Sequence, residues 1–155
     1  MKKQPSNHAL AAKAIRQEVK QAFPLVAFRI KSRSFSGGSA IDVEWTNGPT
    51  SDTVTKLVSK YQYGHFDVMT DCYDITNSRN DIPQVKYVQI RREVSEDIKQ
   101  AIFEKCRETY GGWENLTSMD EISEELKKHW HVWRARDYIY RITCKQDFTN
   151  GYQGE

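Results

Sequence analysis

Two stretches of alternating apolar and polar residues lie on either side of Gly37-Gly38, and they constrain the fold more than any other feature of this chain. The first covers residues 26–33 and the second covers residues 41–46. A repeat of two is typical of a strand with one buried face, and a Gly-Gly pair between two such strands favours an antiparallel hairpin. Basic side chains on the first strand would then face acidic ones on the second and help to fix the register. The residues concerned are Arg29, Lys31, Arg33, Asp42 and Glu44.

Two helices and two further strands are predicted around this hairpin. Apolar residues at helical spacing predict a helix from Asn7 that Pro24 stops. A second helix is expected after Thr50, which is a suitable N-cap. Strand-like sequence follows over Phe66–Ile75 and again over residues 85–92. The order α-β-β-α-β-β predicts an α+β domain over residues 1–93, with an antiparallel four-stranded sheet and two packed helices.

The C-terminal third, residues 94–155, is predicted to be a helical extension that packs on the first domain. One helix begins after Ser95 and ends at Gly111-Gly112, because glycine is favoured just beyond a helix C-terminus. The residues from Ser118 to Glu121 fit the capping-box pattern, so a second helix is expected to begin there.

The end of this extension is predicted from shorter patterns. The second helix would carry Ile122, Leu126, Trp130 and Trp133 on one side. Alternation over residues 138–142 predicts a short terminal strand. Residues 146–155 are polar enough to predict a loose tail.

Composition excludes several classes of protein. The 155 residues are 38% hydrophobic, which is enough for a core, and no apolar run approaches the length of a membrane span. The net charge of +2 is too balanced to indicate a nucleic-acid binder by itself, although residues 1–93 carry 14 basic and 9 acidic side chains, a net of +5. Three isolated cysteines, with no secretory signal, indicate an intracellular protein.

The titratable residues do not form a recognisable catalytic or metal-binding pattern. Asp67, Asp71 and Asp74 supply carboxylates, but a strand would place Asp74 on the opposite side from the other two. The histidines at 129 and 131 would point in different directions on a helix. His65 beside Asp67 is able to act as a base, yet a loop histidine before a strand is the simpler interpretation. We expect no metal, no cofactor and no enzyme activity.

Two segments are candidate surfaces for a protein partner: the loop over residues 34–39 and the aromatic and basic segment Trp130–Arg136. Trp and Arg dominate binding hot spots, but two tryptophans three residues apart on a helix are first interpreted as core packing. Partner contact is the second interpretation, and both stay open. The candidate partner-binding residues are Phe35, Gly37, Gly38, Trp130, Trp133, Arg134 and Arg136.

Nucleic-acid binding is an alternative class of function. Basic residues along two predicted strands would provide rows of phosphate contacts, with Phe35 and Tyr87 nearby. Asp42 and Glu44 count against this interpretation, because they would neutralise the first row. The candidate nucleic-acid residues are Arg29, Lys31, Arg33, Arg91 and Arg92.

Three short motifs carry a resemblance to a known family. They are Phe35-Ser36-Gly37-Gly38-Ser39, Trp45-Thr46-Asn47-Gly48-Pro49 and Phe66-Asp67-Val68-Met69. With these motifs the chain resembles the large-polyvalent-protein-associated domains, the twenty-ninth of that series, over about residues 9–93.

The resemblance implies a setting in bacteriophages and conjugative elements. Proteins with such domains enter a new host with the DNA, or are made early there, and counter host defences or assist establishment. We therefore expect an accessory protein of the host bacterial cytoplasm that inhibits a defence system, of the anti-CRISPR or antirestriction type, by binding a protein or ribonucleoprotein component. The alternative is a nucleic-acid-binding accessory protein that acts on incoming DNA or on a guide RNA.

Overall fold

The computed structural model describes residues 5–154, so residues 1–4 and 155 of the two predicted domains lie outside the described part of the chain. The described residues contain five helices and five strands, plus a single 3-10 turn at Ser59–Tyr61. The elements are α1 (Asn7–Ala22), β1 (Phe28–Phe35), β2 (Gly38–Thr46), α2 (Ser51–Val58), β3 (Gly64–Asp67), β4 (Cys72–Ile75), β5 (Tyr87–Glu93), α3 (Glu96–Thr109), α4 (Glu124–Trp130) and α5 (Ala135–Thr143).

The chain divides into two compact units, with the boundary between Glu93 and Val94. Each unit has its own hydrophobic core. The α+β class is therefore confirmed. The expected packing of the second unit on the first stays a prediction.

The core of the first unit lies between α1, α2 and one face of a sheet. Helix α1 contributes Ala11, Ile15 and Val19, which are spaced by four residues and form one buried stripe. Strand β2 contributes Ile41 and Val43, which alternate with the half-buried Asp42 and Glu44. Thr50 caps α2, since its hydroxyl accepts a hydrogen bond from the Thr53 amide. The two predicted helices of this unit and the predicted Thr50 cap are confirmed.

The predicted hairpin is confirmed together with its register. Strands β1 and β2 pair antiparallel from Phe28 opposite Trp45 to Phe35 opposite Gly38. Ser36 and Gly37 form the two-residue turn. Because Arg29 lies opposite Glu44 and Lys31 opposite Asp42, the opposite charges face each other as expected.

The predicted four-stranded antiparallel sheet is wrong. The main sheet has three strands in the order β1-β2-β5, and β5 pairs with β2 in parallel, from Tyr87 beside Ala40 to Glu93 beside Thr46. The connection from β2 to β5 includes α2 and is long enough for the chain to return in the same direction. Strands β3 and β4 form a separate two-stranded sheet.

The predicted single strand over Phe66–Ile75 is also wrong, because it folds back on itself as the hairpin β3–β4. The Asp67 carboxylate accepts a hydrogen bond from the Met69 amide at 2.8 Å, which is a turn formed by a side chain. Asp71 adopts a left-handed backbone with φ of 52°, which Asp tolerates better than most residues. These two aspartates reverse the chain without glycine or proline.

In the second unit, the predicted terminal strand is a helix. Residues 138–142 lie within α5, and its buried residues Ala135, Ile139 and Thr143 are spaced by four. That spacing places them on one helical face, against a core that includes Trp113 and Leu126. A short aromatic-rich window fits both periods, and here tertiary packing selects the helix.

Two further expectations in this unit are wrong. Helix α4 begins at Glu124, capped by the Ser123 hydroxyl, and the residues at 118–121 form a turn in which the Ser118 hydroxyl accepts from the Asp120 amide. Ile122 is consequently exposed outside the helix. The predicted loose tail contains Phe148, which is buried in the second core.

Candidate functional site

One face of the three-stranded sheet points away from α1 and α2, and we call it the outer sheet face. Ile41, Val43 and Trp45 point toward the helices, so the alternate positions of β2 and their partners on β1 and β5 point outward. The outer sheet face consists of Arg29, Lys31, Arg33, Phe35, Ala40, Asp42, Glu44, Tyr87, Gln89 and Arg91.

Cations form the rims of this face and carboxylates lie along its centre. Glu44 on β2 is 3.3 Å from the Arg29 guanidinium and 3.9 Å from that of Arg91. Asp42 is 3.2 Å from the guanidinium of Arg33. The Arg29 and Arg91 side chains are 65% and 73% exposed, whereas those of Asp42 and Glu44 are 24% and 30% exposed. The carboxylates therefore hold the guanidinium groups in place while leaving them accessible to solvent.

Lys31 and Arg33 lie along the β1 rim. Arg33 also donates a hydrogen bond to the Gln89 amide oxygen at 3.0 Å, which links β1 to β5 across β2. Lys31 is exposed and forms no ion pair with a described residue. Surface ion pairs of this kind contribute about 0–1 kcal/mol each, so an anion can compete for the arginines.

Aromatic rings cover the end of the outer sheet face next to the β1–β2 turn. The Phe35 and Tyr87 ring centroids are 6.4 Å apart with planes at 19°, and Phe35 is 43% exposed. Tyr73 from β4 packs edge-on against Tyr87 with centroids 5.4 Å apart. Burial raises the pKa of Tyr73 to about 12, and its hydroxyl donates to the Lys86 carbonyl oxygen.

Gly38, at the end of the β1–β2 turn, lies close to the Lys86 side chain. Gly38 has φ of 148°, and a Cβ there would lie 2.8 Å from Cδ of Lys86. The Lys86 ammonium donates to the Gly37 carbonyl oxygen at 3.0 Å and lies 4.8 Å from the Tyr73 ring centroid. Glycine at position 38 therefore allows both the positive φ at the turn and the close approach of Lys86, as the glycine pattern of a hairpin predicts.

The Trp-Thr-Asn-Gly-Pro motif forms an internal turn. The Trp45 indole donates to the Pro49 carbonyl oxygen at 3.1 Å. Arg92 donates to the carbonyl oxygens of Asn47 and Gly48, both at 2.9 Å. Because Arg92 lies beside Trp45 in the parallel register, it is on the helix side of the sheet and does not join the other four candidate nucleic-acid residues.

The hairpin β3–β4 exposes large apolar side chains that the sequence reasoning did not select as a contact. We call Phe66, Val68, Met69 and Ile75 the hairpin patch; Val68 and Met69 are 82% and 93% exposed. A hydrogen bond from the Met69 amide lowers the pKa of Asp67, so this carboxyl stays charged at neutral pH. A Val-Met pair between two turn-forming aspartates is the sequence signal that could have identified the patch.

The segment Trp130–Arg136 separates into packed and exposed residues. Trp130 packs against Tyr110 and Tyr138, with centroids 4.7 and 5.1 Å apart. Trp133 is exposed, with the Lys127 ammonium 3.6 Å from its ring centroid, and Arg134 is exposed before α5.

Arg136 belongs to an ion-pair network within the second unit. Its guanidinium is 2.6 Å from Asp120 and 2.9 Å from Glu96. The Arg136 guanidinium holds the pKa of Asp120 below its ordinary value, and both carboxylates raise the pKa of Arg136. Arg136 is therefore committed to contacts within its own unit, while Trp133 and Arg134 are accessible.

The comparisons with known proteins place the chain in a family. The family described as large polyvalent protein associated domain 29 matches residues 6–101, which is well over half of the chain, and the chain belongs to it. It is thus a protein associated with phages or other mobile elements. No curated protein matches it, and no solved structure does. None of the described helices combines the length and apolar character needed to cross a membrane.

Proposed function

We propose that this member of the family inhibits a host defence system, of the anti-CRISPR or antirestriction type, by binding one of its protein components. The proposed inhibition is a steric or conformational block in the host cytoplasm, without a catalytic step or cofactor. The observation that carries the proposal is the hairpin patch, which presents Val68 and Met69 to solvent at the end of a two-stranded projection. Contiguous exposed apolar residues mark protein interaction sites.

The energetics favour a protein partner for this patch. Burying a side chain of the size of Val or Met contributes about 1.5–3 kcal/mol, so Val68 and Met69 are able to act as anchors. Met also adapts its shape to irregular pockets. A stable interface needs roughly 1,000 Å² in total, which requires contacts around the patch as well.

The charges around the patch indicate the chemistry of the partner surface. Asp67, Asp71 and Asp74 lie in the hairpin, and no Lys or Arg occurs between residues 61 and 78. An acidic surface with apolar anchors is complementary to a basic surface that contains an apolar pocket. Proteins that bind nucleic acid carry such basic surfaces, which suits a component of a nucleic-acid-targeting defence system.

The second unit provides a separate candidate contact. Trp133 and Arg134 are exposed next to each other in sequence, and Trp and Arg are the residues most enriched in hot spots. We propose them as an additional contact whose contribution is measured independently of the hairpin patch.

The test is a phage-challenge assay in bacteria that carry one defined CRISPR or restriction system. We expect the wild-type protein to restore plating of a targeted phage, and Val68→Asp combined with Met69→Asp to abolish that effect. Leu25→Asp is the matched control, because Leu25 is 77% exposed outside the hairpin. Full activity of the hairpin variant, or equal loss in both variants with folding intact, would contradict the proposal.

A further inference from the structure

We infer that the outer sheet face binds single-stranded nucleic acid, with a base on Phe35 and phosphates on the cations of β1 and β5. This activity goes beyond the proposed inhibition and uses different residues. The phosphate contacts would be Arg29, Lys31, Arg33 and Arg91.

Phe35 provides the base contact, and Tyr87 supports its ring. Phe35 and Tyr87 come from the two outer strands of the three-stranded sheet and stack on each other, with planes at 19°. Tyr87 also packs against Tyr73, so it supports the Phe35 ring. Both rings belong to the outer sheet face, and Phe35 is exposed. Every base has a π-face that can stack on such a ring, so the contact tolerates different sequences. Arg33 lies 5.9 Å from the Phe35 centroid and brings a cation next to the stacking surface.

The two cationic rims provide the backbone contact. Alternate residues on β1 are about 6.7 Å apart, so Arg29, Lys31 and Arg33 form a row along the strand. Arg91 lies on the opposite rim, two strand spacings or about 10 Å away. A phosphate approaching either rim meets guanidinium N–H groups before it meets Asp42 or Glu44, since the carboxylates are the less exposed partners.

The arrangement selects single strands over duplexes. In a duplex the bases stack on each other, so their faces are not available to protein rings. The sheet face instead offers an exposed aromatic ring at one end and cations along its two rims. An aromatic ring beside a cationic surface is how single-stranded nucleic acid is bound without strict sequence preference. Incoming single-stranded DNA and a guide RNA share this chemistry.

The test is fluorescence anisotropy of the full chain with labelled probes of about 12 nucleotides. The probes are oligo(dT), oligo(U) and a duplex of the same length. We expect saturable binding of one or both single strands, with the stronger probe identifying DNA or RNA as the source. The affinity should fall with salt at a log–log slope of about −2 to −3, as three to four phosphate contacts require.

Variants distinguish a specific binding site from general attraction of the oligonucleotide to surface cations. Phe35→Ala is expected to weaken binding about tenfold, and Phe35→Trp to retain it, which keeps the test valid if the alanine variant folds poorly. Lys31→Ala is expected to weaken binding roughly threefold. Lys13→Ala removes an exposed charge from α1 and should leave it unchanged.

Three results would overturn the inference: no saturable binding of either single strand, equally tight binding of the duplex, or equal effects of Lys13→Ala and Lys31→Ala. The double change Val68→Asp and Met69→Asp is expected to leave oligonucleotide binding intact, because the hairpin patch is not part of this site. Failure of the nucleic-acid activity is thereby distinguishable from failure of the proposed inhibition.

Discussion

The outer sheet face and the hairpin patch belong to the same compact unit but offer opposite chemistry. The outer sheet face is rimmed by arginine and lysine and carries two nearly parallel rings. The hairpin patch combines highly exposed aliphatic side chains with three aspartates. A ligand that suits one surface is disfavoured by the charge of the other, so we propose two ligands rather than one extended interface.

The family motifs divide in the same way between structure and exposed surface. The Trp-Thr-Asn-Gly-Pro motif is internal, where Trp45 and Arg92 bind the carbonyl oxygens of its turn. The motif around Gly37 and the motif around Met69 instead lie at the exposed ends of the two surfaces. One recognisable motif thus maintains the sheet, and the other two form the surfaces that a partner would meet.

The largest expected effect is that variants of the two surfaces lose different activities. Val68→Asp with Met69→Asp should lower defence inhibition at least about 100-fold, since a charge would be buried at the partner interface. Phe35→Ala combined with Lys31→Ala should lower defence inhibition much less than the hairpin variant does. The same double change should weaken oligonucleotide binding by about 30-fold. Plating efficiency and anisotropy measured on the same protein preparations check both expectations. Loss of both activities in either variant would show that the surfaces act as one.

The next largest expected effect is a difference in stability between variants of two neighbouring arginines. Arg92→Ala should lower the free energy of unfolding by about 2–3 kcal/mol, because it removes the charged donor of the part-buried hydrogen bonds to the Asn47 and Gly48 carbonyl oxygens. Arg91→Ala should change it by less than about 0.5 kcal/mol, because Arg91 is exposed, but should weaken oligonucleotide binding. Urea unfolding of both variants checks this. Equal destabilisation would contradict the assignment of the two residues to opposite faces.

A smaller difference in stability is expected between alanine variants of the two turn glycines. Gly38→Ala should lower stability by about 1–3 kcal/mol, because of its positive φ and the close approach of Lys86. Gly37→Ala should cost less than about 1 kcal/mol, since the new Cβ would meet only the Phe35 ring, at an ordinary 3.8 Å. Thermal unfolding distinguishes the two, and a larger effect at Gly37 would contradict the described turn.

The smallest effect concerns the second unit and its pH dependence. The Arg136 guanidinium lowers the pKa of Asp120, so this pair stabilises the fold above the ordinary carboxyl pKa and ceases to do so as pH falls through the lowered value. The Tm of Arg136→Ala should lie below that of wild type at neutral pH, and the difference should shrink as the pH falls from about 4 toward 2. Arg141→Ala, an exposed change on the same helix, should keep the wild-type dependence. A constant difference across this range would contradict the ion-pair account.

Local pattern predicted the elements whose signals lie close together in the sequence. The β1–β2 hairpin was predictable because alternation, turn glycines and opposite charges all favour one register. The parallel pairing of β5 with β2 was not, since it depends on where the chain returns after α2 and not on the composition of β5. The reversal at Asp67 and Asp71 was missed because aspartates, and not glycine or proline, form the turn.

For the candidate residues too, local pattern predicted the residue types, whereas strand pairing and packing decided which side chains are exposed. The sequence placed basic residues on two strands, but only the register shows that Arg91 points outward and Arg92 inward. The spacing of Trp130 and Trp133 was interpreted first as core packing and second as partner contact. The structure separates them, because Trp130 packs against Tyr110 while Trp133 is exposed. Exposure of Val68 and Met69 follows from the hairpin that the sequence reasoning missed.

The most direct test of the central claim is a pull-down from bacteria that express one active, defined defence system. Tagged wild-type protein and the Val68→Asp, Met69→Asp variant are compared with and without nuclease, and the bound proteins are identified by mass spectrometry. We expect a stoichiometric subunit of that system to be recovered despite nuclease treatment with the wild-type protein, and to be absent with the hairpin variant. Recovery of nuclease-sensitive material alone, or equal recovery of the subunit by both proteins, would contradict it.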